Sequence, residues 1–256
     1  MRIFILIWLL AGLTSFRSNA CDMLSEQYFY EAQAEALEKF DLSSDLIVAT
    51  GGSSTVYFTR LPHDFITASG ATLTKGSSAL VKLPLTRTEA ILIKNEFSII
   101  KKLQQTPTDA IVDAAFDGSG ALIMPYRADR LRTLSHYAES SSRNPLPPLT
   151  VPQLNAVKSQ LFSILSQLQL YGIVHSDIKP QNILVAVNAS GEISLQLIDF
   201  GIACPKGAYP QKGLRERGGT PEFASPEQLN DHPASFRDDT YAVARVIDFL
   251  EANLAP

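Results

Sequence analysis

Apolar positions fall along this chain in two rhythms, one of strands and one of helices. Residues 24–40 place Leu24, Tyr28, Ala32, Ala36 and Leu37 at helical spacing among Glu and Gln. This predicts an amphipathic helix packed on a later part of the chain. The runs Asp45 to Ala49 and Val56 to Phe58, set around Gly51-Gly52-Ser53-Ser54, predict a β-hairpin. Ala79 to Leu83 predicts a short strand. Ile93, Phe97, Ile100 and Leu103, with Lys and Glu between them, predict a helix from Glu89 to Leu103. Ile111-Val112 and Ala121 to Met124 predict two strands separated by the turn Asp117-Gly118-Ser119-Gly120.

The rhythm then changes. Arg143 to Thr150 is rich in proline and predicts a stiff connector, with recognition by a partner that binds extended proline segments as the alternative. Val151 to Leu170 carries Leu154, Val157, Leu161, Ile164, Leu165 and Leu168 on one stripe, a long amphipathic helix. Ile183 to Val187 and Leu195 to Phe200 predict strands joined by Asn188-Ala-Ser-Gly, and Asp239 to Leu250 predicts a strongly apolar helix. A strand-rich part followed by a helix-rich part predicts an α+β fold in two lobes.

The N-terminus adds a compartment. After Met1-Arg2 comes the apolar run Ile3 to Leu13, and Ser18-Asn19-Ala20 places small residues before a cut after Ala20. That predicts a cleaved signal peptide over 1–20 and delivery to the secretory pathway or the exterior; a misassigned start would leave the chain cytoplasmic. The run is too short to span a bilayer, so no stable membrane span is expected. Loss of residues 1–20 removes Arg2 and Arg17 and no acid, taking the formal charge from −4 to −6. Neither value suits a nucleic-acid partner, whose binding proteins carry a basic face. Cys21 and Cys204 are the two cysteines and make no disulfide framework. Asn188-Ala189-Ser190 is an N-glycosylation triplet in a predicted turn.

Three segments carry the chemistry, in this order. His175-Ser176-Asp177-Ile178-Lys179-Pro180-Gln181-Asn182 lies between the long helix and a strand. Ile198-Asp199-Phe200-Gly201 ends the following strand, and Gly219-Thr220-Pro221-Glu222-Phe223-Ala224-Ser225-Pro226-Glu227 comes about twenty residues later. Over roughly residues 46–250 the chain resembles the eukaryotic-type Ser/Thr protein kinase family, whose catalytic-loop, Asp-Phe-Gly and Ala-Pro-Glu signatures these segments match, with Ser225 in place of the last signature's alanine.

The resemblance implies ATP and Mg²⁺ as cofactors and a protein substrate bearing Ser or Thr. It implies that Asp177 accepts the substrate hydroxyl's proton, that Lys179 neutralises the moving γ-phosphoryl group, and that Thr220 bridges the two. Asn182 and Asp199 supply hard oxygens for Mg²⁺. Upstream, aligned on Val56, the phosphate loop would be Ala49 to Val56, with Gly51 the one glycine kept of the usual three and Gly52 beside it. Lys82 matches the strand lysine on the phosphates. Glu96 matches the helix glutamate that holds it, in preference to Glu89, because the apolar spacing around Glu96 fits a helix packed on both lobes. Met124 matches the residue beneath the adenine, with Pro125 and Arg127 contacting the base through their backbone. Asp239 matches the aspartate that ties down the catalytic-loop backbone, with a helix N-cap as the plainer alternative.

Two departures stand out. Ser176 replaces the arginine that, in the family, receives a phosphate on the activation segment. Activity gated otherwise, or not at all, is the expectation. The resemblance also implies helices beyond the one opened near Asp239, so the C-lobe is expected to be truncated there, with a minimal kinase, a fragmentary gene model and a partner that covers the gap as the alternatives. The organisation expected is a leader over 1–20, an extension helix over 21–45 and a kinase domain over 46–256, with its N-lobe at 46–125 and C-lobe at 126–256. A pseudokinase acting as a nucleotide-binding or scaffolding module and a small-molecule or glycan kinase remain as alternatives.

Overall fold

The computed structural model describes residues 20–50, 54–130, 132–138, 146–209 and 218–254. Residues 1–19 of the predicted leader, Gly51 and Gly52, and the proline-rich stretch as far as residue 145 lie outside the described residues.

Helix α1 (Ala20–Lys39) precedes a five-stranded antiparallel sheet in the order β1-β2-β5-β7-β6. Its strands are β1 (Ile47–Thr50), β2 (Ser54–Arg60), β5 (Ser78–Pro84), β6 (Ala115–Phe116) and β7 (Leu122–Pro125), with a small hairpin β3 (Phe65–Ile66) and β4 (Thr72–Leu73) between β2 and β5. Helix α2 (Arg87–Leu103) crosses the sheet toward the helical half. There β8 (Arg132–Thr133), β10 (Ile183–Val187) and β11 (Ile193–Leu197) form a three-stranded sheet, and β9 (Ile173–Val174) pairs with β12 (Cys204–Pro205). The helices are α3 (Leu134–Ala138), α4 (Val151–Leu170), α5 (Pro226–Leu229) and α6 (Phe236–Leu254). This is the two-lobed α+β arrangement expected. Among the described residues no helix is long and apolar enough to cross a membrane.

Two apolar clusters explain the division. One joins α1 to the sheet through Ala36, Phe40, Leu61, Phe65, Val81 and Ile123, all buried. The rings of Phe40 and Phe65 stack at 5.8 Å, and Lys39 reaches Asp117 at 3.5 Å. The larger cluster runs from Ile93, Ile100 and Leu103 of α2 through Leu161, Ile164 and Leu168 of α4 to Val246 and Leu250 of α6. Helix α4 begins where Thr150 and Gln153 form a reciprocal capping box, which contributes about 1 kcal/mol.

Three expectations are corrected. Ile111 and Val112 form no strand against β7: Ile111 bridges Leu197 in parallel, and the pairing with β7 starts at Ala115. Apolar character alone cannot tell these registers apart. The strand expected over Leu195 to Phe200 runs over Ile193–Leu197, because the backbone turns out at Asp199, φ +66°. Helix α6 starts at Phe236, so Asp239 sits in its first turn, not at its cap.

Phe40 is 1% exposed and wedges α1 onto the sheet. Phe40→Ala is expected to lower unfolding free energy by about 3–5 kcal/mol in urea titration. A loss below about 1 kcal/mol would mean that α1 is not part of this core.

Candidate active site

Alternation along β5 sends Ala79, Val81 and Leu83 into the cluster under α1 and Lys82 to the opposite face. In register, Val56 of β2 and Leu122 of β7 flank Lys82. The Lys82 ammonium is buried and donates to Glu96 Oε2 at 2.7 Å and to Asp199 Oδ1 at 2.8 Å. Helical periodicity puts Glu96 on the buried stripe between Ile93 and Ile100. Its other oxygen accepts the Phe200 N–H at 3.2 Å. Glu89, the competing glutamate, lies instead in the first turn of α2, where its N–H is capped by Thr86 Oγ1.

The loop His175 to Asn182 joins β9 to β10 and is strung on side chains from the helical half. Asp239, 2% exposed, accepts the N–H groups of His175 at 2.8 Å and Ser176 at 2.9 Å. This fixes the backbone leading into Ser176, whose φ is +68°. Asp177 Oδ1 then accepts the Thr220 hydroxyl at 2.8 Å, while Oδ2 accepts Lys179 Nζ at 2.8 Å and Asn182 Nδ2 at 3.1 Å. Lys179 also donates to Thr220 Oγ1 at 2.9 Å. The Asn182 carbonyl accepts the Ile198 N–H at 3.0 Å, which sets Asn182 beside the strand end carrying Asp199. The charged set around Lys82 and the set around Asp177 are therefore one contiguous constellation.

The remaining predicted residues are placed as follows. Met124, half-buried, packs on the large cluster and pairs with Leu80; Pro125 closes β7 opposite Ala79. The Arg127 guanidinium is exposed and engages Asp129 through two bonds of 3.0 Å. Three contributors were not foreseen. Asn95 donates from α2 to the carbonyls of Gly201 and Ala203, Asp238 accepts the Ser225 hydroxyl at 2.7 Å, and Gln228 is buried against the loop at Ser176. An isolated polar side chain bonding to backbone leaves no periodic signal. For Asn95, its place beside Glu96 on the stripe is the one hint.

Electrostatics follow from burial. Burial disfavours the Lys82 charge, but Glu96 and Asp199 outweigh it and raise the ammonium above its ordinary range. Complete burial pushes the Glu96 carboxyl up, against the pull of Lys82. Burial also opposes the Asp199 charge, yet Lys82 holds that carboxyl below its usual range. Among the described residues no three His, Cys, Asp or Glu side chains converge as a cation site. The donors do fit a cation shared with phosphates. Asp199's side chain is 44% exposed with one oxygen on Lys82. The Asn182 amide spends its N–H groups on Asp177, leaving its oxygen to face a cation.

Comparison with known proteins gives a match to the family model described as the protein kinase domain over residues 82–252. The Ser/Thr-protein kinase pkn3 of Myxococcus xanthus is 33% identical over 113 residues, 43% of this chain and 21% of that protein. Smooth-muscle myosin light chain kinase of Gallus gallus is 39% identical over 85 residues, 33% of this chain and 4% of that protein. The Ser/Thr-protein kinase PknH of Mycobacterium tuberculosis is 34% identical over 100 residues, 39% of this chain and 15% of that protein. The chain thus spans about a fifth or less of these relatives.

His175 is fully buried against Phe200, ring centroids 4.7 Å apart. Its Nδ1 accepts the Asp177 N–H at 3.2 Å and its Nε2 meets the Ile198 carbonyl at 3.2 Å, which assigns the neutral tautomer protonated on Nε2. Burial pushes its value below the ordinary 6.5, against Asp177 and Asp199. A folded value below the unfolded one means stability is whole above about pH 6.5 and falls as pH drops further. Melting temperature of the nucleotide-free protein is expected to decline from pH 7.5 to 5.5, less steeply in His175→Asn. Parallel profiles for the two proteins would refute this assignment.

Proposed function

The chain belongs to the protein kinase family, and from that premise we propose that it transfers the γ-phosphoryl group of ATP to serine or threonine hydroxyls of protein substrates. One observation carries the reading: the Lys82–Glu96–Asp199 ion cluster and the Asp177–Lys179–Thr220 triad lie on segments tied together at Asn182, whose amide bonds Asp177 and whose main-chain carbonyl accepts the N–H of Ile198, next to Asp199.

The transition state spreads negative charge over phosphate oxygens, so positioning and charge compensation carry catalysis. Lys82, held by Glu96, orients the α- and β-phosphates. Asn182 and Asp199 would hold Mg²⁺, which when bound neutralises charge between the nucleotide's phosphates. The substrate hydroxyl oxygen forms the new bond to the γ-phosphorus as the bond to the bridging β–γ oxygen breaks and ADP leaves. Asp177 takes the hydroxyl's proton. Lys179 compensates the charge in transit, and Thr220 holds both side chains at the distance required. The adenine is held by the backbone of Pro125 and Arg127 above Met124. Val56 of β2, in register with Lys82, lies beside the phosphates.

Purified protein incubated with ATP, Mg²⁺ and generic protein substrates is expected to incorporate phosphate. Asp177→Ala and Asp199→Ala should each lower kcat by about 10²-fold or more, with nucleotide binding kept in the first. Nucleotide binding without transfer in the wild type would establish the scaffolding alternative instead. Transfer to added sugars or metabolites alone would move the substrate class.

A further inference from the structure

Behind the catalytic loop lies a bond that the reading above does not use. Gln228, in α5, is 2% exposed. Its Nε2 donates to the Ser176 carbonyl at 2.6 Å and to the Gly218 carbonyl at 3.1 Å. One acceptor adjoins Asp177; the other is two residues from Thr220. We propose that Gln228 is a positioning residue for phosphoryl transfer: its amide clamps the segment bearing Thr220 onto the loop bearing Asp177. The inference rests on the kinase reading and specifies how that site is held in register.

Three features single this amide out. Both its N–H groups go to the two backbones that must stay aligned if Thr220 is to reach Asp177 and Lys179. The chain passes directly against it at Gly219, whose φ is +106°, where an added Cβ would lie 2.5 Å from Gln228 Nε2 and 3.1 Å from the Ser176 carbonyl. A side chain at 219 would force the clamp open, so glycine is required there on two counts. The clamp is itself held: the Gln228 N–H is capped by Ser225 Oγ at 3.0 Å, and Ser225 is anchored on Asp238 at 2.7 Å.

The bond is also uncharged. Position 176 carries a buried serine, so no cation stands there to receive a phosphate. Gln228 reaches the carbonyl of that same residue and needs no modification to do so. Register between the two segments is then built into the fold.

The test uses the full chain in steady-state transfer to a serine peptide that the wild type phosphorylates. Gln228→Met keeps the volume and removes the donor. Gln228→Glu keeps the shape and sets a carboxylate against two carbonyls. Each is expected to lower kcat about tenfold or more, with KM for ATP within about twofold of wild type. In a Thr220→Val background Gln228→Met should lower kcat little further, since Gln228 acts through Thr220; a general packing defect would instead multiply. Phosphatase-treated wild type should keep its kcat. Unchanged kcat in both variants, multiplicative losses in the double variant, or loss of wild-type activity after phosphatase would overturn the proposal. Should the wild type transfer no phosphate, the kinase reading fails and the clamp is read by amide hydrogen exchange. Faster exchange at residues 175–177 and 218–220 in Gln228→Met than in wild type supports the clamp, and equal exchange overturns it.

Discussion

A buried ammonium between two carboxylates is the constraint on which the rest of this structure depends. Removing such a charge from water costs on the order of several kcal/mol even after the protein relaxes, and a partner must be close to offset it. Lys82 comes from the strand-rich half, Asp199 from the helical half, and Glu96 from the helix that bridges them. No single element could bury these groups alone. A buried ion pair is weak ground for stability, since an apolar replacement can serve equally well. Its persistence in this cleft is better explained by geometry: it sets α2 against the sheet and the Asp199 turn against both.

The catalytic loop obeys the same logic with backbone in place of charge. Ser176 and Asp199 both hold positive φ, at +68° and +66°, a conformation that disfavours residues with a Cβ by about 1–2 kcal/mol. Such strain persists where surrounding bonds over-determine it. Asp239 accepts the successive N–H groups of His175 and Ser176, and Gln228 donates to the Ser176 carbonyl. The Asp199 side chain is fixed through Lys82, and the Phe200 N–H beside it through Glu96. Each strained residue thus sits between anchors from other elements, and the reactive side chains inherit that rigidity.

Much of this was legible in the chain because long periodic signals and fixed-order motifs are both robust. The stripe from Val151 to Leu170 and the cap at Thr150 define α4, and Glu96 announces itself as a charge on an apolar stripe. Short apolar pieces were less legible. Ile111-Val112 has the composition of a strand, but its partner is Leu197 from the other half, a long-range choice that no local pattern encodes. The hairpin at Phe65–Leu73 escaped because each strand has two residues. Leu195 to Phe200 looks like one strand because its apolar run continues through Ile198 and Phe200, whereas the backbone turns at Asp199 to meet Lys82. Gln228 was invisible for a different reason: its role lies in two main-chain carbonyls, and any sequence can supply those.

On the proposed function, the arrangement also explains how the cleft would be ready before a nucleotide enters. An ammonium has three N–H donors, and Lys82 commits two of them to Glu96 and Asp199, leaving one for a phosphate. Asp199 gives one oxygen to Lys82 while its side chain stays 44% exposed. Asn182 binds Asp177 through nitrogen and keeps its oxygen. Each side chain is therefore divided between a structural bond, which fixes its direction, and a spare atom, which faces the reaction. Dipoles fixed in this way stabilise developing charge without having to reorganise when it appears. In the proposed phosphoryl transfer, the bonds that hold the two halves together are also the ones that would lower the barrier.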